Sequence, residues 1–237
     1  MRFATFAEEP ELRERRRALA DTFLEFMHHD AVCNRYWGTM FDEYPEYQFA
    51  LLDGDHLVAE GNCVPTRWEA PDPRGVDGVL ESTFERREEP NVVSALQIRI
   101  AAEYQGRGLS SAMVEQMRSV TRANGFETLV APVRPNRKSH YPLIPMEHYV
   151  AWTRGDGFPF DPWMRVHARL GGEIVAVCPE SMRIEGTVAE WEEWTRMPLP
   201  GTGAYVVPDA LVPVEIDRER DLGRYVEPNV WMRHSSA

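Results

Sequence analysis

A chain of 237 residues is long enough to bury an apolar core without disulfides or metals, and suits one large domain or one domain with additions. Its formal net charge of −12 argues against a general nucleic-acid binder and against docking on an anionic membrane. Cys33, Cys63 and Cys178 are odd in number and widely spaced, which excludes a disulfide framework or a zinc pattern and fits a reducing cytoplasm.

The N-terminal run MRFATFAEEPELRERRR has no apolar signal core, and no stretch is apolar for long enough to span a bilayer. Leu12, Leu19, Phe23 and Phe26 recur near helical spacing and predict a helix over residues 11–27. Its arginines are interleaved with Glu11 and Glu14, as on a solvated face. The aromatic-rich segment that follows predicts a short helix over 34–41. Residues 48–66 form two apolar arms around Asp53-Gly54-Asp55, which reads as a hairpin. A loop rich in Pro and Gly leads to a helix over 76–87, with Val79, Leu80 and Phe84 on its apolar side.

Residues 92–136 organise the rest. Ser94, Leu96, Ile98 and Ile100 alternate with Ala95, Gln97 and Arg99 as in a strand. Met113, Val114, Met117 and Val120 follow at helical spacing, Gly125 supplies a stop, and ETLVAPV is a second strand. Gly106 and Gly108 sit between strand and helix, where glycine permits a tight bend and close approach of a ligand. The unpaired first-turn N–H groups and the helix dipole, with Arg107 nearby, suit a pyrophosphate. No Lys-Ser/Thr follows the glycines, as a triphosphate loop needs, and no third glycine completes a dinucleotide fingerprint.

Residues 137–160 are rich in Pro and aromatics and long for a connection. Loops of this length often bind ligands, so Ser139, His140, Tyr141, Glu147, His148 and Tyr149 form a pool for acceptor contacts. Their spacing matches no metal site, and none is expected. Asp161 and Pro162 open a helix as N-cap and first residue, Gly171 closes it, and EIVAVCP reads as a strand. Thr187 and Glu190 predict a capping box on a short helix. Strand material resumes after residue 203, with Pro208 and Pro213 keeping it short or at an edge.

The loop QGRGLS, residues 105–110, resembles the acyl-CoA-binding loop of the GNAT (Gcn5-related N-acetyltransferase) superfamily. That loop has Gln or Arg, two residues, Gly, one residue, then Gly or Ala. Here Gln105, Gly108 and Ser110 stand at those positions, the last a departure that is still small. The order strand, loop, helix, strand, Asn136 and a late helix ending in RLGG extends the resemblance over roughly residues 47–217. It implies a single α/β domain over 1–237, a mixed central sheet flanked by helices. An insertion at 137–160 precedes the late helix, and 181–237 is an extended C-terminal elaboration.

The resemblance implies that the strand backbone at Ile98, Arg99 and Ile100 pairs with the pantetheine arm. Gln105, Gly106, Arg107, Gly108, Leu109 and Ser110 would hold the diphosphate, and Asn136 would touch the cofactor. Relatives often carry a Glu base on the central strand. This chain has Gln97 there, so Glu60, Glu81 and Glu147 are the expected alternatives. The late helix of relatives often reads Tyr-x-x-Leu-Gly, and His167 takes the place of the tyrosine that acts as general acid. His167 is expected to protonate the leaving thiolate, since an unshifted imidazole titrates near operating pH. Tyr36, Trp37, Tyr141 and Tyr149 are expected at the acceptor, and Lys138 near a phosphate or in solvent. The implied activity is transfer of an acyl group, acetyl by default, from acyl-CoA to the amine of a small molecule by direct attack. The alternative is a non-catalytic acyl-CoA-binding or regulatory module of the same fold. The C-terminal region is expected to offer a homodimer surface.

Overall fold

The computed structural model describes residues 1–20 and 23–235. The elements run β1 (Arg2–Thr5), α1 (Leu12–Arg15), α2 (Ala31–Tyr36), α3 (Met40–Glu43), β2 (Gln48–Asp53), β3 (His56–Thr66), α4 (Gly75–Leu80) and β4 (Val92–Ile100). They continue as α5 (Leu109–Ala123), β5 (Thr128–Val133), α6 (Met146–Val150), α7 (Pro162–Arg169), β6 (Glu173–Gly186), α8 (Val188–Thr195), β7 (Gly203–Tyr205), β8 (Val214–Asp217) and β9 (Leu222–Ser235). The described strands form one sheet in the order β1-β2-β3-β4-β5-β9-β8-β7, with β6 also paired to β9. All pairs are antiparallel except β4 with β5.

The strand period of two explains the layering. In β2, Phe49 and Leu51 join a core with Met113 and Met117 of α5, whereas Ala50 and Leu52 join a second core with Trp191 and Trp231. Both faces of the sheet are therefore covered, and β2 reads as an unbroken apolar run. Gly75, at φ +43°, lets α4 press onto β6: a Cβ there would lie 2.3 Å from the Ser181 hydroxyl.

Several elements depart from the sequence expectations. The helix expected over 11–27 is broken: α1 has four residues, a 3-10 turn spans Arg16–Ala18, and another spans Glu25–His29. Asp21 and Thr22, within that expected helix, lie outside the described residues. Arg16 turns inward to Glu60 at 2.6 Å, and Leu19 is extended, so tertiary contacts override the local pattern. The helix expected over 34–41 is two helices, α2 and α3, with Gly38 between them. That over 76–87 is α4 followed by a π-helical turn, Glu81–Arg86, closed by Arg87 at φ 48°.

The last strand is not at an edge. β7 and β8 are short, but β9 runs for 14 residues between β5 and β6. Its Pro228 is tolerated because β6 bulges there: Cys178 pairs with Asn229 and Met182 with Glu227, so no ladder N–H is needed at Pro228. Lys138 is fully buried, not near solvent. Its ammonium donates to the carbonyls of Tyr141 (2.9 Å) and Leu211 (2.7 Å), and burial pushes its pKa down to about 8.

Candidate active site

β4 and β5 are parallel neighbours, yet they pair only at Val93–Leu129 and Ser94–Val130. The cause lies in β4. Asn62 of β3 faces Gln97 while Cys63 faces Ala95, so Leu96 is an extra residue. A bulge of this kind bends and twists its strand. Beyond it β4 leaves β5, and Leu96, Gln97 and Ile98 are half-buried in succession. A cavity of about 680 Å³ fills the gap, lined from β4 by Leu96, Gln97 and Ile98 and from β5 by Ala131, Pro132 and Val133. Both strands thus present backbone groups that no neighbouring strand pairs, and an extended ligand can use them.

At one end the cavity reaches the glycine turn, where Gln105, Gly106, Leu109 and Ser110 line it. Gly106 and Gly108 sit at φ +74° and +77°, a region in which a side chain is strained. Gly108 is the N-cap of α5 and no side chain caps the helix. The orphan N–H groups of a 15-residue helix are left for an anion. Gln105 donates to the Ile100 carbonyl at 3.2 Å, which fixes the turn to the strand end. The Arg107 guanidinium lies 4.9 Å over the Tyr104 ring. Arg107 and Gly108 shape the turn without lining the cavity.

The other end lies where β9 has no partner on one side. β8 pairs with β9 up to Arg224 and β5 joins at Val230, leaving Glu227 and Asn229 between them on the cavity wall. Glu227 is fully buried and accepts from Arg134 Nε at 3.0 and 3.1 Å and from the Tyr225 hydroxyl at 2.9 Å. Burial alone would lower the Arg134 pKa, but Glu227 and Tyr225 raise it above its ordinary value. Asp209, Asn136 and Ser139 also line this region.

His167 lines the same cavity and is 2% exposed. Its Nδ1 is 2.8 Å from Nε2 of His234, and the Trp163 ring stands edge-on at 4.7 Å. Burial pushes His167 down to about 3 and His234 to about 4. Both rings are neutral at pH 7, so the imidazolium acid expected from an unshifted histidine is not the resting form.

The carboxylates expected as bases stand elsewhere. Glu60 is fully buried and accepts from Arg16, Asn62 and Arg99. It is outside the cavity, and the Arg99 side chain, which is bonded to it, does not line the cavity either. Glu81 pairs with Arg74 at 2.7 Å and Arg86 at 3.7 Å. Glu147 is exposed on α6 and does not line the cavity. Tyr36 donates to Glu85 and stacks on Phe84. Tyr141 and Tyr149 pack with Trp152 and Phe160, and the Tyr149 hydroxyl donates to Asp161 at 2.8 Å. Of the four aromatic residues expected at the acceptor, Trp37 lines the cavity.

Sequence reasoning missed a second acidic group. Asp30 caps α2, accepting from Cys33 N at 2.8 Å, and both Asp30 and Asp77 accept from Arg183 N at 3.2 Å. Burial raises both carboxyls, Asp77 to about 8. The capping pattern before residue 31 marks Asp30, but nothing in the sequence links it to Asp77. Arg134 and Glu227 were missed because 93 positions separate them.

No protein-family model matches the sequence. The chain is 32% identical over 244 aligned residues to the arginine N-acetyltransferase avaD of Aspergillus versicolor, covering 89% of this chain and 84% of that protein. Its fold matches the loading GNATL domain of CurA from Lyngbya majuscula with a TM-score of 0.63 at 18% identity, over 99% of this chain and 96% of that one. It matches the GphF GNAT-like decarboxylase, solved with isobutyryl-CoA, with a TM-score of 0.56 at 14% identity and full coverage of both. These two likenesses show a shared fold. The chain belongs to the GNAT superfamily. The residues present fit acyl-CoA: unpaired strand edges flank the cleft, and an uncapped helix start closes one end.

Proposed function

We propose that this protein is an N-acyltransferase that moves an acyl group, acetyl by default, from acyl-CoA to the amine of arginine or a closely related basic amino acid. One observation carries the reading. A single cavity joins the glycine turn at the start of α5 to a wall that holds Arg134, Glu227 and Asp209. The first end suits a diphosphate. The second offers the N–H groups of Arg134 that Glu227 and the Asp209 carbonyl do not use, for a carboxylate, and the Asp209 carboxylate for a cationic side chain. The 32% identity to an arginine N-acetyltransferase supports the choice of acceptor.

The thiols of Cys33, Cys63 and Cys178 are all raised by burial. None is poised as a thiolate, which favours direct attack by the amine over an acyl-enzyme. Backbone N–H groups of β4 near Ile98 would meet the thioester oxygen as it gains negative charge. The test is thiol release from acetyl-CoA in the presence of arginine, lysine, polyamines and aminoglycosides, with product masses. Arginine-dependent release with acetylation at an amine is expected. Binding of CoA with no amine-dependent release would replace the reading with a non-catalytic acyl-CoA module.

A further inference from the structure

We propose that the acceptor carries, beside its basic group, an apolar portion the size of an aromatic ring, and that Trp37 is the residue that selects it. The proposal rests on the N-acyltransferase reading above and names its acceptor more closely: an arginine joined through its carboxyl to an aryl or large alkyl group. The carbonyl of that link can still accept an N–H of Arg134.

The cavity crosses the sheet where β4 and β5 part. On one side its walls are Ile98, Leu109 and Met117, which belong to the core under α5. On the other side they are Phe23, Leu24, Met27, Trp37, Leu96 and Met182, all of the second core. The glycine turn stands at the start of α5, so the first side suits the cofactor and the second is left for the acceptor. Phe23, Leu24 and Met27 come from the 3-10 turn Glu25–His29 and the residues before it, and Trp37 is the C-cap of α2. The rings of Phe23 and Trp37 meet edge to face at 6.2 Å. Met27 and Met182 are buried, but Phe23, Leu24, Trp37 and Leu96 are only half-buried although they pack on the core.

Apolar walls open to a cleft favour an apolar guest that displaces their water. An acetyl group brings one methyl, and arginine brings a stem that ends in a charge. Neither covers these side chains. A guanidinium among them would lose its water without meeting a carboxylate. The carboxylates that line the cavity, Asp209 and Glu227, belong to the polar wall. The basic group therefore goes to Asp209 and the apolar portion to the side of Trp37. The two compartments adjoin: Met182 of β6 pairs with Glu227 of β9, so their side chains rise from the same face of the sheet. One acceptor molecule can reach both, which assigns the apolar side to the acceptor rather than to a long acyl chain.

Calorimetry on the CoA-saturated protein tests this without turnover. L-arginine anilide should bind about 10- to 100-fold more tightly than L-arginine amide, the range expected for burying an aromatic group. Equal affinity would overturn the proposal. With acetyl-CoA, kcat/KM should favour the anilide over the amide by a similar factor, and Trp37→Ala should bring that ratio close to one. Where Trp37→Ala does not fold, Trp37→Leu keeps an apolar contact for Phe23 and should still lower the ratio. An unchanged ratio in the folded variant would overturn the role of Trp37. If hexanoyl-CoA outpaces acetyl-CoA while the anilide and the amide react alike, the compartment holds the acyl chain and the proposal falls. If the anilide binds more tightly yet no amine releases thiol, the compartment stands and the N-acyltransferase reading falls.

Discussion

Burial redirects the side chain of Glu60 from the role its type suggests. Glu60 looks like a base in the sequence, yet it neutralises Arg99 and Arg16 inside the protein. Removing one partner of a buried pair strands the other charge, at a cost of about 3–5 kcal/mol. Glu60→Ala should therefore lower the urea midpoint severely, while Glu60→Gln keeps kcat per folded molecule; a large fall in kcat would return Glu60 to the chemistry. Gly108 makes the opposite point. A Cβ there meets nothing within 4 Å, so any effect comes from the backbone at φ +77°. Gly108→Val should raise KM for acyl-CoA, and Gly108→Asn should do so less, since Asn tolerates this region. Equal KM values for the two variants would show that the turn does not depend on its dihedrals. His167 was visible at the residue level through its place before Leu170-Gly171. Its neutral state was not, because burial against His234 comes from a strand far away in sequence.

At the level of elements, legibility followed locality. The hairpin of β2 and β3, helix α5 and the capping box of α8 could be read because neighbouring residues determine them. The capping box forms as expected, with Thr187 and Glu190 each accepting from the other's backbone. The N-terminal helix could not be read, since Arg16 and Leu19 answer to Glu60 and the core. The bulge at Leu96, which opens the cleft, has no local signature: alternation in β4 looks regular until β3 is laid beside it. The joint between α4 and β6 offers a test. Asp77 has a folded pKa of about 8 against an ordinary 3.8. Between those values the folded chain keeps a proton that the unfolded chain has released, so stability falls as pH rises through the window. Asp77→Asn still accepts from Arg183 N and carries no charge. Its Tm should exceed that of the parent at pH 8 and match it near pH 4; a lower Tm at pH 8 would show that the ionised carboxylate stabilises the joint.

For the whole molecule, the histidine pair and the acidic pair shift stability in opposite directions as pH changes. His167 and His234 have folded values near 3 and 4, below the ordinary 6.5. Their contribution is complete above pH 6.5 and is lost as pH falls toward those values. The raised carboxyls lose theirs as pH rises toward 8. Each proton difference changes stability by about 1.4 kcal/mol per pH unit. Tm measured across pH should peak near neutrality on the acid side and fall in both directions. A monotonic rise to pH 9 would mean that Asp77 ionises without cost in the folded state.

The position of β9 has a consequence for how the protein is made. Residues 222–235 fill a slot between two strands that leave the ribosome earlier. Until they arrive, β5 and β6 each expose a hydrogen-bonding edge, and the wall carrying Glu227 does not exist. Such long-range closure slows folding and invites wrong pairing. Nascent chains stalled with residue 221 as their last should be cut readily by protease and bind no CoA, while chains extended past residue 235 should resist. Equal resistance in both would show that the region before β9 matures on its own, before that strand is translated.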